Sequence, residues 1–174
     1  MAITVTLTIE DGSGKSDSNS YASLDDFRTF WTQKNVDYSD NTVKGRSDND
    51  ISAALIMATE YVDGMHFFGE RRLATQSLAF PRSGLSRPGS SSIWPAYLPN
   101  DEVPKAVIRA VCYMAGLIVQ GKSIFDPHQR VSSQSVSGVG SVSYSDGTGE
   151  WYYPMLRTLL SGLVNPSLKI ERAL

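Results

Sequence analysis

The residues that most suggest nucleotide chemistry lie between Gly116 and Ser123. They read GLIVQGKS, which satisfies the GxxxxGK[ST] pattern of a phosphate-binding P-loop. That chemistry needs a strand before the loop and a helix after it, so that backbone N–H groups can surround the phosphates. Here Gly116 falls inside a helical apolar pattern, and Pro127 follows too soon for a normal helix. We therefore predict a helix C-terminus, with Lys122 near its negative end.

A second GKS sequence is formed by Gly14, Lys15 and Ser16. It follows a strand-like pattern, but Ile9 stands where a P-loop has its first glycine. The pattern also lacks a helix directly after it. We predict that residues 11–20 form a Gly/Ser/Asp linker instead of a phosphate site.

The residue spacing gives little support for acid–base, nucleophilic or metal chemistry. His66 and His128 are the two histidines, they fall in different loops, and no HxxxH or HExxH spacing occurs. Asp48 and Asp50 are explained by capping of a helix. Cys112 lies in an apolar helical pattern, where a thiol is inert. We expect no enzymatic activity, no catalytic residue, no metal and no cofactor.

A cluster of aromatic and arginine residues follows the glycine at position 64. Such residues are the ingredients of single-stranded DNA binding. Glu70 interrupts the cluster and the net charge of the chain is −2, which disfavours a protein that depends on phosphate contacts. Arginines beside aromatics are equally typical of protein–protein interfaces. The cluster consists of Phe67, Phe68, Arg71, Arg72, Phe80 and Arg82.

The composition is that of an ordinary globular protein. The chain has 174 residues, of which 41% are hydrophobic and 20% charged, so one domain is the default. A single cysteine excludes an internal disulfide. The N-terminal residues lack the basic and apolar regions of a secretory signal. The longest apolar run, residues 110–119, is too short to span a bilayer.

Hydrophobic periodicity predicts a mainly α fold. The predicted fold is a small bundle of about four helices with a β-hairpin, an N-terminal strand and a long ordered loop. We expect residues 1–20 to be the strand and linker, residues 21–164 the helical domain, and residues 165–174 a tail. The predicted elements are a strand over 3–9, helices from Ser23, from Asp48 or Asp50 to Gly64, from Asp101 to Gly121 and over 152–164, and a hairpin over 131–145.

The third helix is apolar on almost every side, so it must be central or covered by another subunit. Trp94, Tyr97 and Leu98 follow in an aperiodic stretch. They suit either a contact inserted into a neighbour or a flap over the chain's own core. These apolar surfaces together suggest a protein that associates with copies of itself.

Three segments carry a resemblance to a known family. They read SYASLDDFRTFW, ISAALIMATEYVDGMHFFGERRLATQSLAFPR and DEVPKAVIRAVCYMAGLIV. Together they resemble the head–tail connector proteins of tailed bacteriophages, also called head completion or adaptor proteins, over roughly residues 20–120. The same family is also described as "DnaT-like" single-stranded-DNA-binding proteins.

The resemblance implies a structural virion protein. It would form a ring of about a dozen copies, closed by a heterologous interface, between the portal of the head and tail-side proteins. The ring would extend the channel for double-stranded DNA without reading its sequence. Assembly would take place in the host cytoplasm and the product would lie at the head–tail junction, with no membrane involved.

Within that picture we assign candidate residues to three roles. Candidates for the subunit interface are Phe67, Phe68, Arg71, Arg72, Phe80, Arg82, Trp94, Tyr97 and Leu98. Candidates for lining the channel are Val136, Val139, Val142 and Tyr144. Candidates for docking on the portal are Leu168, Ile170 and Leu174 in the tail. Two alternatives remain open, a single-stranded-DNA-binding replication protein and a tail-completion protein of the phage neck.

Overall fold

A computed structural model describes residues 4–39, 47–90, 96–122, 124, 130–135, 141–145 and 153–165. These residues form a mainly α domain with a two-stranded antiparallel hairpin, as the sequence predicts. None of the helices in these ranges combines the length and the apolar character needed to cross a bilayer. In chain order the elements are α1 (Leu24–Thr32), α2 (Asp48–Asp63), β1 (Glu70–Arg71), β2 (Arg82–Ser83), α3 (Lys105–Val119), β3 (Arg130–Ser135), β4 (Ser141–Ser145) and α4 (Pro154–Leu159).

The start of α1 is a capping box, as predicted. The backbone N–H of Asp26 donates to the Ser23 hydroxyl at 3.0 Å, and the backbone N–H of Ser23 donates to the Asp26 carboxylate at 2.9 Å. Each side chain thus satisfies a backbone donor that the first helical turn leaves unpaired. The helix buries Phe27, Phe30 and Trp31.

The N-cap of α2 is Ser47, one position before Asp48. The prediction that Asp48 or Asp50 caps this helix is therefore wrong. The Ser47 hydroxyl accepts from the backbone N–H of Asp50 at 3.2 Å and donates to the Asp50 carboxylate at 2.6 Å. Asp48 instead accepts a hydrogen bond from Arg28 of α1 at 2.6 Å. At the other end Gly64 is the C-cap, which confirms the predicted stop.

Helix α3 is the centre of the fold. It packs against α1, α2 and α4, and its most extensive contact is with α2. The chain therefore covers α3 itself, and burial of this helix does not depend on another subunit. The helix starts at Lys105 instead of Asp101, because Pro104 adopts a non-helical backbone and forms its N-cap. Its buried residues are Val107, Ala110, Val111, Cys112, Met114, Ala115, Gly116 and Leu117.

The predicted N-terminal strand is wrong for the described residues 4–9. Ile9 forms an isolated parallel bridge with Ser20, and no ladder extends from it. Asn19 takes the place of a neighbouring strand, because its side chain accepts from Thr8 N–H at 2.8 Å and donates to the Thr6 carbonyl at 2.9 Å. A single side chain cannot continue the pairing along an edge.

The predicted linker over residues 11–20 is also wrong, because these residues are packed around Glu10. The buried Glu10 carboxylate accepts backbone N–H bonds from Gly12, Gly14 and Lys15 at 2.8–2.9 Å. It also accepts from the hydroxyl of Ser18 at 3.1 Å. The loop is therefore organised by its own carboxylate.

The two remaining elements lie near the end of the chain. β3 and β4 pair antiparallel from Arg130–Ser145 to Ser135–Ser141, which confirms the predicted hairpin. Helix α4 is shorter than predicted and its C-cap is Leu160, where the chain turns towards Gly162 with φ of +83°. Its turn still buries Leu156, Leu160 and Leu163, so the apolar pattern serves packing beyond the helix.

Candidate nucleic-acid interface

The segment after α2 is held against the end of the chain. Phe67 forms a bridge with Val164, and the backbone N–H of Phe68 donates to the Leu163 carbonyl at 2.9 Å. These contacts bury Phe67 and leave the ring of Phe68 42% exposed. Two adjacent phenylalanines therefore have opposite roles, the first in the core and the second on the surface.

Tyr21 and Asp63 fix the residues that precede β2. The Tyr21 hydroxyl donates to the Asp63 carboxylate and accepts from the backbone N–H of Phe80 at 3.0 Å. Asp63 also accepts from the N–H of Ala79 at 2.8 Å. Burial, followed by the charge of Asp63, raises the pKa of Tyr21 far above its usual range. Since Asp63 ends α2, this cluster ties β2 to that helix.

Arg82 is a positioning residue for the loop that carries Phe68. Its guanidinium donates to the carbonyls of Phe68 at 2.8 Å, Phe67 at 3.2 Å, Gly69 at 2.5 Å and Ala79 at 3.3 Å. Burial, and next the charge of Arg71, lowers the pKa of Arg82 from its ordinary value. The guanidinium is thus committed to backbone carbonyls.

Gly69 is required by the turn between Phe68 and β1. Its φ is +72°, and a Cβ atom at this position would lie 2.2 Å from the Ser83 carbonyl oxygen. A residue with a side chain would both strain the backbone and push β1 away from β2. The glycine therefore permits the close approach of the two strands.

Across the β1–β2 pair, Arg71 lies opposite Arg82 and Glu70 lies opposite Ser83. Arg71 is exposed and makes no hydrogen bond or ion pair with any residue that the structure describes. Arg72 is exposed as well and donates to the Gly12 carbonyl at 3.1 Å. We call the exposed set the Arg71 surface, and it consists of Phe68, Arg71, Arg72 and Leu73.

The structure separates the other interface candidates. Phe67 and Phe80 are buried in the chain's own core, where their rings meet with centroids 4.7 Å apart, so their assignment to a subunit interface is corrected. Tyr97 is 59% exposed and Leu98 is half-buried. Trp94 lies outside the described residues, and its role stays a prediction.

Two of the four candidates for lining the channel lie in the β3–β4 hairpin. Val142 and Tyr144 take part in the β3–β4 pairing, opposite Gln134 and Val131. Val136 and Val139 lie outside the described residues. The same holds for the tail residues Leu168, Ile170 and Leu174.

The GLIVQGKS sequence is the end of a helix. Gly116 lies inside α3 directly against the indole ring of Trp31, and Lys122 N–H donates to the Leu117 carbonyl at 3.0 Å. The backbone donors of the second GKS sequence are also occupied, since Gly14 and Lys15 donate to Glu10. These contacts support the prediction that neither sequence is a phosphate site.

The carboxylates, the histidines and the cysteine are the groups of this chain that could hold a metal ion. Among the described residues, no three His, Cys, Asp or Glu side chains converge to hold a metal ion. Cys112 is buried, and burial raises the pKa of its thiol to about 12. His66 is exposed, and His128 lies outside the described residues.

Sequence reasoning missed the two carboxylates that organise this region. Glu10 is followed by Asp-Gly-Ser-Gly, a composition able to turn several N–H groups onto one carboxylate. That signal was available. No such sequence signal points to Asp63, because its partners Tyr21 and Ala79 are distant in sequence.

The model of one protein family matches most of this chain. Residues 5–173 match the family described as "Putative DnaT-like ssDNA binding protein". The chain belongs to this DnaT-like family. No curated protein and no solved structure matches the chain. Membership covers nearly the whole sequence, including the Arg71 surface.

Proposed function

We propose that the chain binds single-stranded DNA through the Arg71 surface. The observation that carries the proposal is Arg71, whose exposed side chain has no hydrogen bond or ion pair with the described residues and which lies in one short segment with Arg72 and the exposed Phe68. Sites for single-stranded DNA have two components. Cationic side chains contact the phosphate backbone of the DNA, and aromatic rings stack on its bases. The description of the DnaT-like family supports the same function.

Glu70 does not face Arg71. Successive side chains of a strand point to opposite faces, so Glu70 and Arg71 project to different sides of β1. Glu70 lies opposite Ser83, whereas Arg71 lies opposite Arg82. Arg71 therefore shares its face of the pair with Arg82, whereas Glu70 and Arg72, on either side of it in sequence, project to the other face.

The net charge of −2 is compatible with this proposal. Exposed charges more than about 10 Å apart are largely screened at a salt concentration of about 0.1 M. Local cations therefore decide whether a phosphate is attracted. A protein whose site has few arginines and one exposed aromatic side chain should bind single-stranded DNA weakly and with a modest dependence on salt.

Fluorescence anisotropy with a labelled thymidine oligonucleotide of about 20 nucleotides tests the proposal. Replacement of Phe68 by alanine should weaken binding by about 5-fold to 100-fold, because one base loses its stacking partner. Met57→Ala is the matched control, since Met57 is 38% exposed on α2. Equal affinities of the two variants would contradict the proposal.

The second candidate function is that of a head–tail connector, which the resemblance of residues 20–120 suggests. A specific feature favours contact with another protein, namely Tyr97. It pairs with Ser86 in an antiparallel bridge, and Arg87 N–H donates to the Ala96 carbonyl at 2.6 Å, so the backbone that carries this 59% exposed residue is held in place. Aromatic residues of this kind dominate protein interfaces.

Co-assembly with phage portal particles tests this second function. Electron microscopy would reveal a ring of about a dozen copies seated on the portal for a connector, or about six copies for a tail-completion protein, since each closed ring has a fixed rotation. Tyr97→Ala should weaken seating while the thermal unfolding of the subunit stays unchanged. Portal particles without added density would exclude both virion functions.

A further inference from the structure

A second exposed basic surface lies where the end of α1 packs against α3. The indole N–H of Trp31 donates to the Cys112 carbonyl at 3.0 Å, which fixes this end of α1 on α3. Lys34 follows directly after the C-cap of α1, and Arg109 precedes Cys112 by about one helical turn. The two cations therefore flank the same contact between the two helices.

Lys34 is exposed, and its ammonium group lies over the ring of Phe30. The nitrogen is 3.3 Å from the ring centroid and donates to the Phe30 carbonyl at 3.4 Å. Partial burial, and next the charge of Arg109, lowers the pKa of Lys34 from its ordinary value. A like charge has this effect when it is close, so Lys34 and Arg109 are neighbouring cations.

Arg109 is exposed on α3 and makes no hydrogen bond or ion pair with any residue that the structure describes. Asp26 is a carboxylate that faces this part of α3, since its charge acts on the thiol of Cys112. It accepts from the N–H and the hydroxyl of Ser23 at 2.9 Å and 2.6 Å and forms no ion pair within the described chain. An added anion would therefore reduce the repulsion between Arg109 and its neighbouring lysine.

Tyr113 adds an aromatic ring to these cations. It lies four residues after Arg109 in α3, so the two side chains project from the same face of the helix. Tyr113 is half-buried, which leaves part of its side chain accessible. We call Lys34, Arg109 and Tyr113 the Arg109 surface. Like the Arg71 surface, it combines two cations with an aromatic side chain, the components of a site for single-stranded DNA.

A short series of contacts connects the two surfaces. Arg72 donates to the Gly12 carbonyl at 3.1 Å, and Gly12 lies directly against the backbone of Asp101. Helix α3 begins at Lys105, four residues after Asp101. These four residues span at most about 14 Å, and Arg109 lies about 6 Å further along the helix. The two surfaces are therefore within about 30 Å of each other.

We propose that the Arg109 surface binds a second stretch of the same DNA strand that occupies the Arg71 surface. This inference rests on the DNA binding proposed above. At about 3.4 Å per nucleotide, a strand of about nine nucleotides spans about 30 Å. The exposed carboxylates Asp101 and Glu102 lie on the connecting segment, so we expect two separate contacts instead of one continuous groove.

Two linked contacts make the affinity depend on the length of the strand. Once one surface is occupied, the strand holds its remaining phosphates near the other surface at a high effective concentration. Thymidine oligonucleotides of about 4 to about 20 nucleotides cover the relevant range. In fluorescence anisotropy, the affinity should rise by about tenfold or more once the length passes about nine nucleotides.

Lys34→Gln combined with Arg109→Gln tests the second contact. This variant should lose the rise in affinity with length. For an oligonucleotide of about 20 nucleotides, the slope of log K against log salt should fall in magnitude by about 1.4, because two phosphate contacts are removed. The control is Lys122→Gln combined with Arg157→Gln, which removes two exposed cations outside both surfaces. Thermal unfolding would verify that each variant is folded.

A slope and a length dependence equal to those of the control would overturn the proposal. A reduced slope without any rise in affinity with length in the unsubstituted chain would overturn it too, because the two surfaces would then bind separate strands. If Arg71→Ala still weakens binding in either case, DNA binding at the Arg71 surface stands and only the second contact is lost. The absence of any binding by the unsubstituted chain would contradict both.

Discussion

Arg71 and Arg82 lie directly opposite each other in the β1–β2 pair although both are positively charged. Like charges in facing positions of two strands are destabilising. Arg82 offsets this cost because its guanidinium donates to four backbone carbonyls. Arg71 has no such compensation within the described chain, so an anion such as a DNA phosphate would relieve the repulsion. The proposed DNA binding depends on this difference between the two arginines.

The carbonyl contacts of Arg82 predict that lysine cannot replace it. A lysine has no planar fork and cannot reach several carbonyls in fixed directions. We expect Arg82→Lys to lower the free energy of unfolding by about 1 kcal/mol, since the partly buried carbonyls of Phe67 and Ala79 lose their donor. Urea unfolding measures this quantity. Arg157→Lys at the exposed end of α4 is the control, and an equal loss there would contradict the role of Arg82.

Phe80 and Phe68 provide a matched pair of substitutions. Phe80 is fully buried, whereas Phe68 is 42% exposed. Phe80→Ala should lower the free energy of unfolding by about 3–5 kcal/mol because it leaves a cavity in the core. Phe68→Ala should lower it by about 1 kcal/mol or less. Similar losses in urea unfolding would mean that the two rings are not distinguished by burial.

The parts of the fold that the sequence predicts correctly depend on local signals. The capping box at Ser23, the stop at Gly64 and the hairpin over 131–145 each involve residues close together in sequence. The central position of α3 follows from its apolar surface on almost every side. Periodicity and capping chemistry are sufficient for such features.

The parts that the sequence does not predict depend on distant partners. Alternation in residues 3–9 indicates a strand, but only a partner strand could complete it, and Asn19 stands there instead. In the candidate site the residue types were recognised, yet nothing in the sequence separates buried Phe67 from exposed Phe68. That distinction comes from the contacts of residues 163–165, which are about a hundred positions away.

The buried thiol of Cys112 predicts sensitivity to alkaline pH. Its pKa is raised from 9.0 to about 12 by burial, so the folded state holds this proton more tightly than the unfolded state. The associated stability is fully present below pH 9 and is lost as the pH rises towards 12. Tyr21 acts in the same direction, since its pKa is raised too.

Urea unfolding at several alkaline pH values checks this prediction. Cys112→Ala should lose less stability than the unsubstituted chain over the interval from pH 9 to 12, and the contribution of Tyr21 should persist in it. The native thiol should also resist maleimide until the chain unfolds. A parallel pH dependence of the two proteins would contradict the assignment to Cys112.

The packing of Gly116 predicts how the GLIVQGKS sequence responds to substitution. A Cβ atom there would lie 2.1 Å from the Trp31 ring, so Gly116→Ala should lower the free energy of unfolding by about 1–3 kcal/mol. Lys122 is exposed, and Lys122→Ala should change stability by less than about 0.5 kcal/mol. ATP with magnesium should shift the thermal unfolding of neither the original chain nor these variants. A shift that Lys122→Ala abolishes would restore the P-loop interpretation.

The salt dependence of single-stranded DNA binding is the sharpest test of a contact between Arg71 and phosphate. The slope of log K against log salt changes by about 0.7 for each phosphate contact on a single strand. Arg71→Ala should weaken binding and reduce the magnitude of the slope by about this amount, whereas Arg157→Ala, which removes an exposed arginine of α4, should leave both unchanged. Identical slopes for the two variants, or the absence of any binding by the unsubstituted chain, would contradict DNA binding at the Arg71 surface.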